Sequence, residues 1–259
     1  GASSGRVKQK TETSNSTAKR TTLDYLALAI PMGKFGAGFG LIPYSSVGYK
    51  IENINSDGLQ NNKRFNGWGG MNRVFLGTGY RILPNLSVGA SAYYNFGKIQ
   101  TNSLEFRPYV PIGSRELNVN ELNGVSYNFG VMHQLKLKNK LSVFSSLYYT
   151  PKSTLTSNNE RTIGTVAYNS NYDLSEVDSY DPVNTKTELQ MPQKWALGLG
   201  IGNARKWVVG AEVAIQDAGK LFNNYNTLDN VTYGKSQKYS IGGYFTPNAS
   251  PFVSYAKRI

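Results

Sequence analysis

The sequence predicts an all-β protein, an antiparallel transmembrane β-barrel, and three observations carry the prediction. Large and small side chains alternate with a period of two in many segments. Several of these segments outlast the ~5–6 residues of a soluble strand and reach the ~9–11 of a tilted membrane-spanning one. The links between them alternate between short and long. Composition agrees, with 27 Gly, 18 Tyr, 11 Phe and 3 Trp among 259 residues. Gly, Tyr, Asn and Thr are poor helix formers, and plentiful aromatics oppose disorder.

The strands are expected near 22–31, 34–52, 66–82, 85–98, 122–137, 140–152, 187–202, 206–217, 237–246 and 251–259. In the seventh, Trp195, Leu197, Leu199 and Ile201 alternate with Ala196, Gly198, Gly200 and Gly202. After Asn203–Lys206 the pattern resumes with Trp207, Val209, Ala211, Val213 and Ile215 against Gly210, Glu212, Ala214 and Gln216. A period of two across a short polar link reads as a hairpin. Leu86, Val88, Ala90, Ala92, Tyr94 and Phe96 repeat the pattern, as do Val125, Tyr127, Phe129 and Val131. Val74, Leu76, Tyr80 and Ile82 oppose Arg73, Phe75, Gly77, Gly79 and Arg81.

Short turns are expected at Pro31–Lys34, Leu83–Asn85, Lys138–Lys140, Asn203–Arg205 and Pro247–Ser250, and long polar loops at 53–65, 99–121, 153–186 and 218–236. Outer-membrane barrels have short periplasmic turns and long outer loops. Closure pairs every backbone group at bilayer depth. Trp195, Trp207, Tyr94, Phe96, Tyr148, Tyr149 and Tyr244 lie near strand ends, where interface girdles form. A soluble β protein binding anionic ligands is the competing reading. If the short turns are periplasmic, residues 1–21 belong to an external loop or a disordered segment, and residues 22–259 form a partial barrel. Ten alternating strands then call for at least one more strand before residue 1 and one after Ile259, so the sequence reads as an incomplete barrel.

The 28 Lys and Arg against 16 Asp and Glu leave a net charge of +12. A polyanion is the general implication. Arg6, Lys8, Lys10, Lys19 and Arg20 crowd the first twenty residues, a segment able to touch the phosphates of surface lipid or to serve as a mobile external loop. The other cations are scattered, and no nucleic-acid motif is present, so no nucleic-acid partner is expected. No run approaches the ~18–20 apolar residues of a membrane-spanning helix, and no signal-peptide core is visible. Absent Cys excludes disulfides, thiolate metal sites and cysteine nucleophiles. His133, alone beside a short turn, is expected at the interface and not on a metal. Asp173–Asp181 lacks the EF-hand spacing and reads as a solvated loop. No metal, cofactor or catalytic residue is expected, and no enzymatic activity.

Several segments resemble one known family. Leu189–Gly200, followed by Lys206–Glu212, resembles a hairpin of the FadL-type long-chain fatty-acid transporters of the outer membrane. Thr22–Pro31 with Phe35–Gly40, and Leu83–Ala90, are similar to that family as well, and Gly40–Tyr49 resembles its Bacteroidota branch. The resemblance spans about 22–98 and 122–246. It implies fourteen strands in the full protein, about ten of them here, plugged by an N-terminal hatch that this sequence lacks. It implies the outer membrane of a Gram-negative bacterium, amid phospholipid and lipopolysaccharide. The implied activity is uptake of hydrophobic small molecules such as fatty acids, released sideways through the barrel wall.

Lateral release needs a gap in the strand ladder. Pro43 lies inside the long second strand and has no N–H to donate; Gly36, Gly38 and Gly40 before it permit a bend. Phe39, Pro43, Tyr44 and Ser45 are the candidate border of that opening, a plain bulge being the alternative. Arg73, Phe75, Arg81, Glu212 and Gln216 are candidates for the lumen. Two roles suit Arg73 and Arg81: holding the carboxylate of a ligand, or pairing with Glu212 or another acid. The competing function is that of an accessory or structural barrel subunit within a larger outer-membrane complex, such as a secretion machine.

Overall fold

The computed structural model describes residues 1–10, 15–53, 62–137, 140–169, 171, 173–217 and 234–246. Fourteen strands and no α-helix occur among them: β1(Ala2–Lys10), β2(Asn15–Leu23), β3(Leu26–Met32), β4(Phe35–Asn53), β5(Asn62–Leu83), β6(Leu86–Phe106), β7(Ile112–Lys136), β8(Ser142–Thr150), β9(Ser153–Tyr168), β10(Leu174–Ser179), β11(Val183–Met191), β12(Lys194–Asn203), β13(Trp207–Asp217) and β14(Lys235–Phe245). β1 and β2 form a separate hairpin, where a loop or disordered stretch was expected. The other twelve form one antiparallel sheet in the order β14-β13-β12-β8-β7-β6-β5-β4-β3, with β9 joined to β7, β10 and β11. This sheet curls into half a barrel, and β3 and β14 are its edges among the described residues. The strand expected at 251–259 lies outside those residues.

Register shows that the five strands before β13 are two long lines. Met191 faces Ser153 in the β11–β9 ladder, and Lys194 faces Thr150 in the β12–β8 ladder, with no slip between them. The interruptions fall at Pro151 and Pro192, whose missing N–H groups break the ladder locally. Hence β8 and β9 run as one line beside β7, and β10, β11 and β12 as the next. The polar stretches expected as loops at 99–121 and 153–186 are therefore mostly strand. Their Thr, Asn and Ser lack a greasy face, but Thr154, Thr156, Thr162, Ile163, Thr165 and Val166 suit a pleated backbone.

Tight turns close one end of the wall. Met32 faces Phe35 across Gly33, whose φ of 67° is a left-handed conformation open to glycine. Leu83 faces Leu86 around Pro84. The Lys206 N–H donates to the Asn203 carbonyl at 2.7 Å, while Asn203 Oδ1 caps the Arg205 N–H at 3.2 Å. The Asn85 Nδ2 and His133 Nε2 atoms lie 3.0 Å apart beside these turns. At the other end, β6–β7 and β9–β10 close above the level reached by β12 and β13.

The two faces of the lower wall are chemically distinct. Leu28, Phe39, Leu76, Ala92 and Tyr127 are successive cross-strand partners, as are Leu147, Leu197 and Val213. The convex face they share is greasy and open: Leu76 is 66% exposed and Trp195 44%. Trp195 stacks on Tyr149 at 4.0 Å, Tyr94 on Phe96 at 6.0 Å, and Phe35 tilts on Tyr80 at 4.9 Å. Tyr148 and Tyr244 leave the expected girdle, because register places both on the opposite face. That concave face carries Asn95, Ser126 and Asn128, all buried, with Gly partners between larger residues. The bilayer-height strands β8, β12, β13 and β14 have 9, 10, 11 and 11 residues. Those lengths match a tilted membrane crossing.

β5, β6 and β7, with 22, 21 and 25 residues, climb past the belt together with β9–β11. There the preference reverses. Met71, Leu122 and Leu155 form an apolar cluster on the concave side, with Ile99, Leu189 and Met191 packed against it. The outer side carries charge, including Lys98–Glu121 at 3.1 Å. Above the cluster, Ser157 donates to Asn159, whose Nδ2 donates to Thr187 at 2.8 Å. Arg161 pairs with Glu116 at 2.9 Å. Burial raises the Glu116 pKa, but hydrogen bonds from Asn118 and Arg161 outweigh it and hold the carboxyl below its ordinary value. Asp173–Asp181, expected as a loop, is largely strand β10, with Glu176 3.6 Å from Arg115.

Candidate functional site

Beyond the β3 ladder, the upper part of β4 is a further edge of the wall among the described residues. β4 pairs with β5 from Phe35 to Asn53, but with β3 only from Phe35 to Leu41. From Ile42 upward, β4 has one strand partner among the described residues. The β4–β5 register also slips between Pro43 and Ser45, so Tyr44 is a bulged residue. The sequence accounts for both features: Pro43 cannot donate to a ladder, and a bulge absorbs the loss. A cavity of about 750 Å³ opens here. Leu23, Pro43, Ser45, Asn72, Phe96 and Leu122 line it. Of the residues expected at an opening, Pro43 and Ser45 thus border a cavity. Phe39 sits lower, on the greasy face and 47% exposed.

Tyr44 turns to the other side. The Arg73 guanidinium lies 3.6 Å from the centre of its ring and 5.0 Å from that of Tyr93. Phe75 tilts against Tyr93 at 6.0 Å. Arg73 Nε is buried without a hydrogen-bond partner among the described residues. A guanidinium held against tyrosine faces has its planar donors oriented. Such a group suits an anionic head group arriving from the lumen.

The lumen candidates Arg73, Phe75, Arg81, Glu212 and Gln216 all carry the concave parity. The expected pairing of Arg73 or Arg81 with Glu212 is not made, and neither arginine has an ion pair among the described residues. Arg81 and Glu212 share a level, since Arg81 faces Ser87, Ser87 faces Met132, Met132 faces Ser146, and Gly198 links Ser146 to Glu212. Five strand spacings separate them, about 24 Å along the sheet. Sequence alternation assigns a face but not a distance around a curved wall.

Sequence reasoning missed a second feature, on the convex face. Small residues Thr78, Gly89 and Ala90 floor a notch of about 400 Å³ between the aromatic rims Phe35–Tyr80 and Phe129–Tyr149. Its signal was present as Thr78 and Ala90, smaller residues on the greasy parity of two adjacent strands. Among the described residues, no group of three or more His, Asp or Glu side chains gathers as metal ligands would.

A greasy convex belt, a polar concave face and tight turns at one end define an outer-membrane-type β-barrel. The sequence matches the BamG family over residues 1–259, and the chain belongs to that family. No curated protein matches the chain.

Proposed function

We propose that this chain is an accessory barrel subunit of a larger complex in the outer membrane of a Gram-negative bacterium. The observation that carries this reading is the family match over residues 1–259, since the name BamG suggests a role in barrel assembly. The lipid-facing notch floored by Thr78, Gly89 and Ala90 supports it. Small residues let a neighbouring membrane segment approach closely. A FadL-like relation remains a proposal, founded on the segments quoted from the sequence.

A second reading has its own support. The β3–β4 ladder ends at Leu41 beside the cavity at Pro43, and Arg73 waits on the lumen side. Those features suit uptake of a hydrophobic molecule with an acidic head, such as a fatty acid, and its sideways release.

Native mass spectrometry of the particle extracted in mild detergent separates the two. Stoichiometric co-purification with a larger barrel protein, and no bound fatty acid, is the expected result. A monomer carrying fatty acid, with acid lost on Arg73→Ala, would reject the subunit reading in favour of uptake.

A further inference from the structure

The β1–β2 hairpin stands apart from the curved wall and carries a face of unpaired charge. Arg6 faces Lys19, Lys8 faces Thr17, and Lys10 faces Asn15. Cross-strand partners project to the same side, so Arg6, Lys8, Lys10 and Lys19 share one face. All four are exposed, and none enters an ion pair among the described residues. The first 23 residues contain a single acid, Glu12, outside the described residues. Like charges directly opposite, as at Arg6 and Lys19, disfavour strand pairing. An external anion on this face would offset that repulsion.

The hairpin's base fixes its level. The Gly1 nitrogen donates to the Tyr25 carbonyl at 2.8 Å, and the Asp24 N–H donates to the Gly1 carbonyl at 2.9 Å. Ser3 Oγ donates to the Asp24 carboxylate at 2.7 Å. The next residue, Leu26, faces Leu41 on the last rung of the β3–β4 ladder, where the greasy surface of β3 ends. The basic ribbon therefore leaves the wall at the headgroup level, on the end away from the short turns. In an outer-membrane barrel that end faces the lipopolysaccharide leaflet.

We propose that the Arg6–Lys8–Lys10–Lys19 face docks on the phosphates of that leaflet, with the ribbon lying across the headgroups beside the barrel. Nine residues per strand span about 30 Å, and successive cations on β1 recur about every 7 Å. Guanidinium and ammonium groups make short charge-assisted hydrogen bonds to phosphate oxygens. Placement at the end of the greasy belt favours a lipid over an acidic protein.

The proposal rests on the outer-membrane placement, and on neither functional reading. The test reconstitutes the full chain in phosphatidylcholine vesicles with and without lipid A. Resistance to carbonate extraction from pure phosphatidylcholine tests the placement alone, and failure there would overturn it first. Lipid A retained after extraction is then counted by native mass spectrometry. Arg6→Ser/Lys8→Ser/Lys10→Ser/Lys19→Ser should retain roughly tenfold less than wild type. Lys8→Arg/Lys10→Arg/Lys19→Arg should match wild type. Dephosphorylated lipid A should bind both wild type and the serine variant weakly. Amide exchange on the wild type should slow in residues 2–10 when phosphorylated lipid A is present, a readout that needs no variant. Equal retention by wild type and the serine variant overturns the proposal. So does unchanged exchange, wild-type retention that ignores the phosphates, or a serine variant that keeps lipid A and loses an acidic protein instead.

Discussion

The bilayer-height belt and the tall extension are made from the same strands but solve opposite solvent problems. In the belt, Leu76, Leu197 and Leu199 face outward, while Asn95, Ser126 and Asn128 face in. A few residues higher, Met71, Leu122 and Leu155 face in, and the Lys98–Glu121 pair faces out. The reversal lies between Tyr94 and Lys98 on β6, and near Pro151 and Pro192 on the two long lines. A strand has two faces in either region, and what changes is where the water is. Lipid outside rewards a greasy exterior; water outside rewards a conventional core. The aromatic band of Tyr94, Tyr149 and Trp195 marks the border.

The contrast can be broken most directly at Leu155, which is 0% exposed. Leu155→Ala should cost about 2–5 kcal/mol, read from urea unfolding of the bilayer-folded protein. A loss below about 1 kcal/mol would deny the extension a true core.

The next largest effect compares one face at two heights. Leu199→Arg, in mid-belt, should cost about 2–4 kcal/mol in phospholipid vesicles. Asn158→Arg, on the outer side of the extension, should change stability by less than about 0.5 kcal/mol. Equal costs would mean that the lipid border has been drawn at the wrong height.

The smallest effect sharpens the extension alone. Glu116 has its pKa lowered from 4.5. A carboxyl lowered on folding stabilises fully above its unfolded value and loses that contribution as pH falls through the lowered one. Glu116→Gln should therefore cost under about 1 kcal/mol at neutral pH. Its difference from wild type should fade as the pH drops below about 4.5. A difference that persists unchanged in strong acid would show that the Arg161 pair is not its source.

The belt was legible because lipid on one side forces a period of two. Trp195–Ile201 and Trp207–Ile215 announced their strands, and Gly33 and Asn203 announced the turns. The extension was not legible, because residues such as Thr154–Ile163 are half wet on both sides and polarity there mimics a loop. Pro43 coincides with a register slip of the kind a plain bulge makes, and only pairing revealed that β3 ends at Leu41 while β5 continues to the top of β4. Alternation puts Arg73 and Glu212 on one face of the sheet but does not bring them together, since parity contains no curvature.

The amino-acid order alone determined the alternation of faces along the belt strands and the tight turns at Gly33, Pro84 and Asn203. Both follow from the two-residue pleat and from the local needs of Gly, Pro and Asn. The tertiary structure decided what separate strands share: the apolar cluster across β5, β7 and β9, the tyrosine cage around Arg73, and the departure of the basic ribbon from the wall. These depend on register and on how far the sheet bends, and each is set by contacts between residues far apart in the chain.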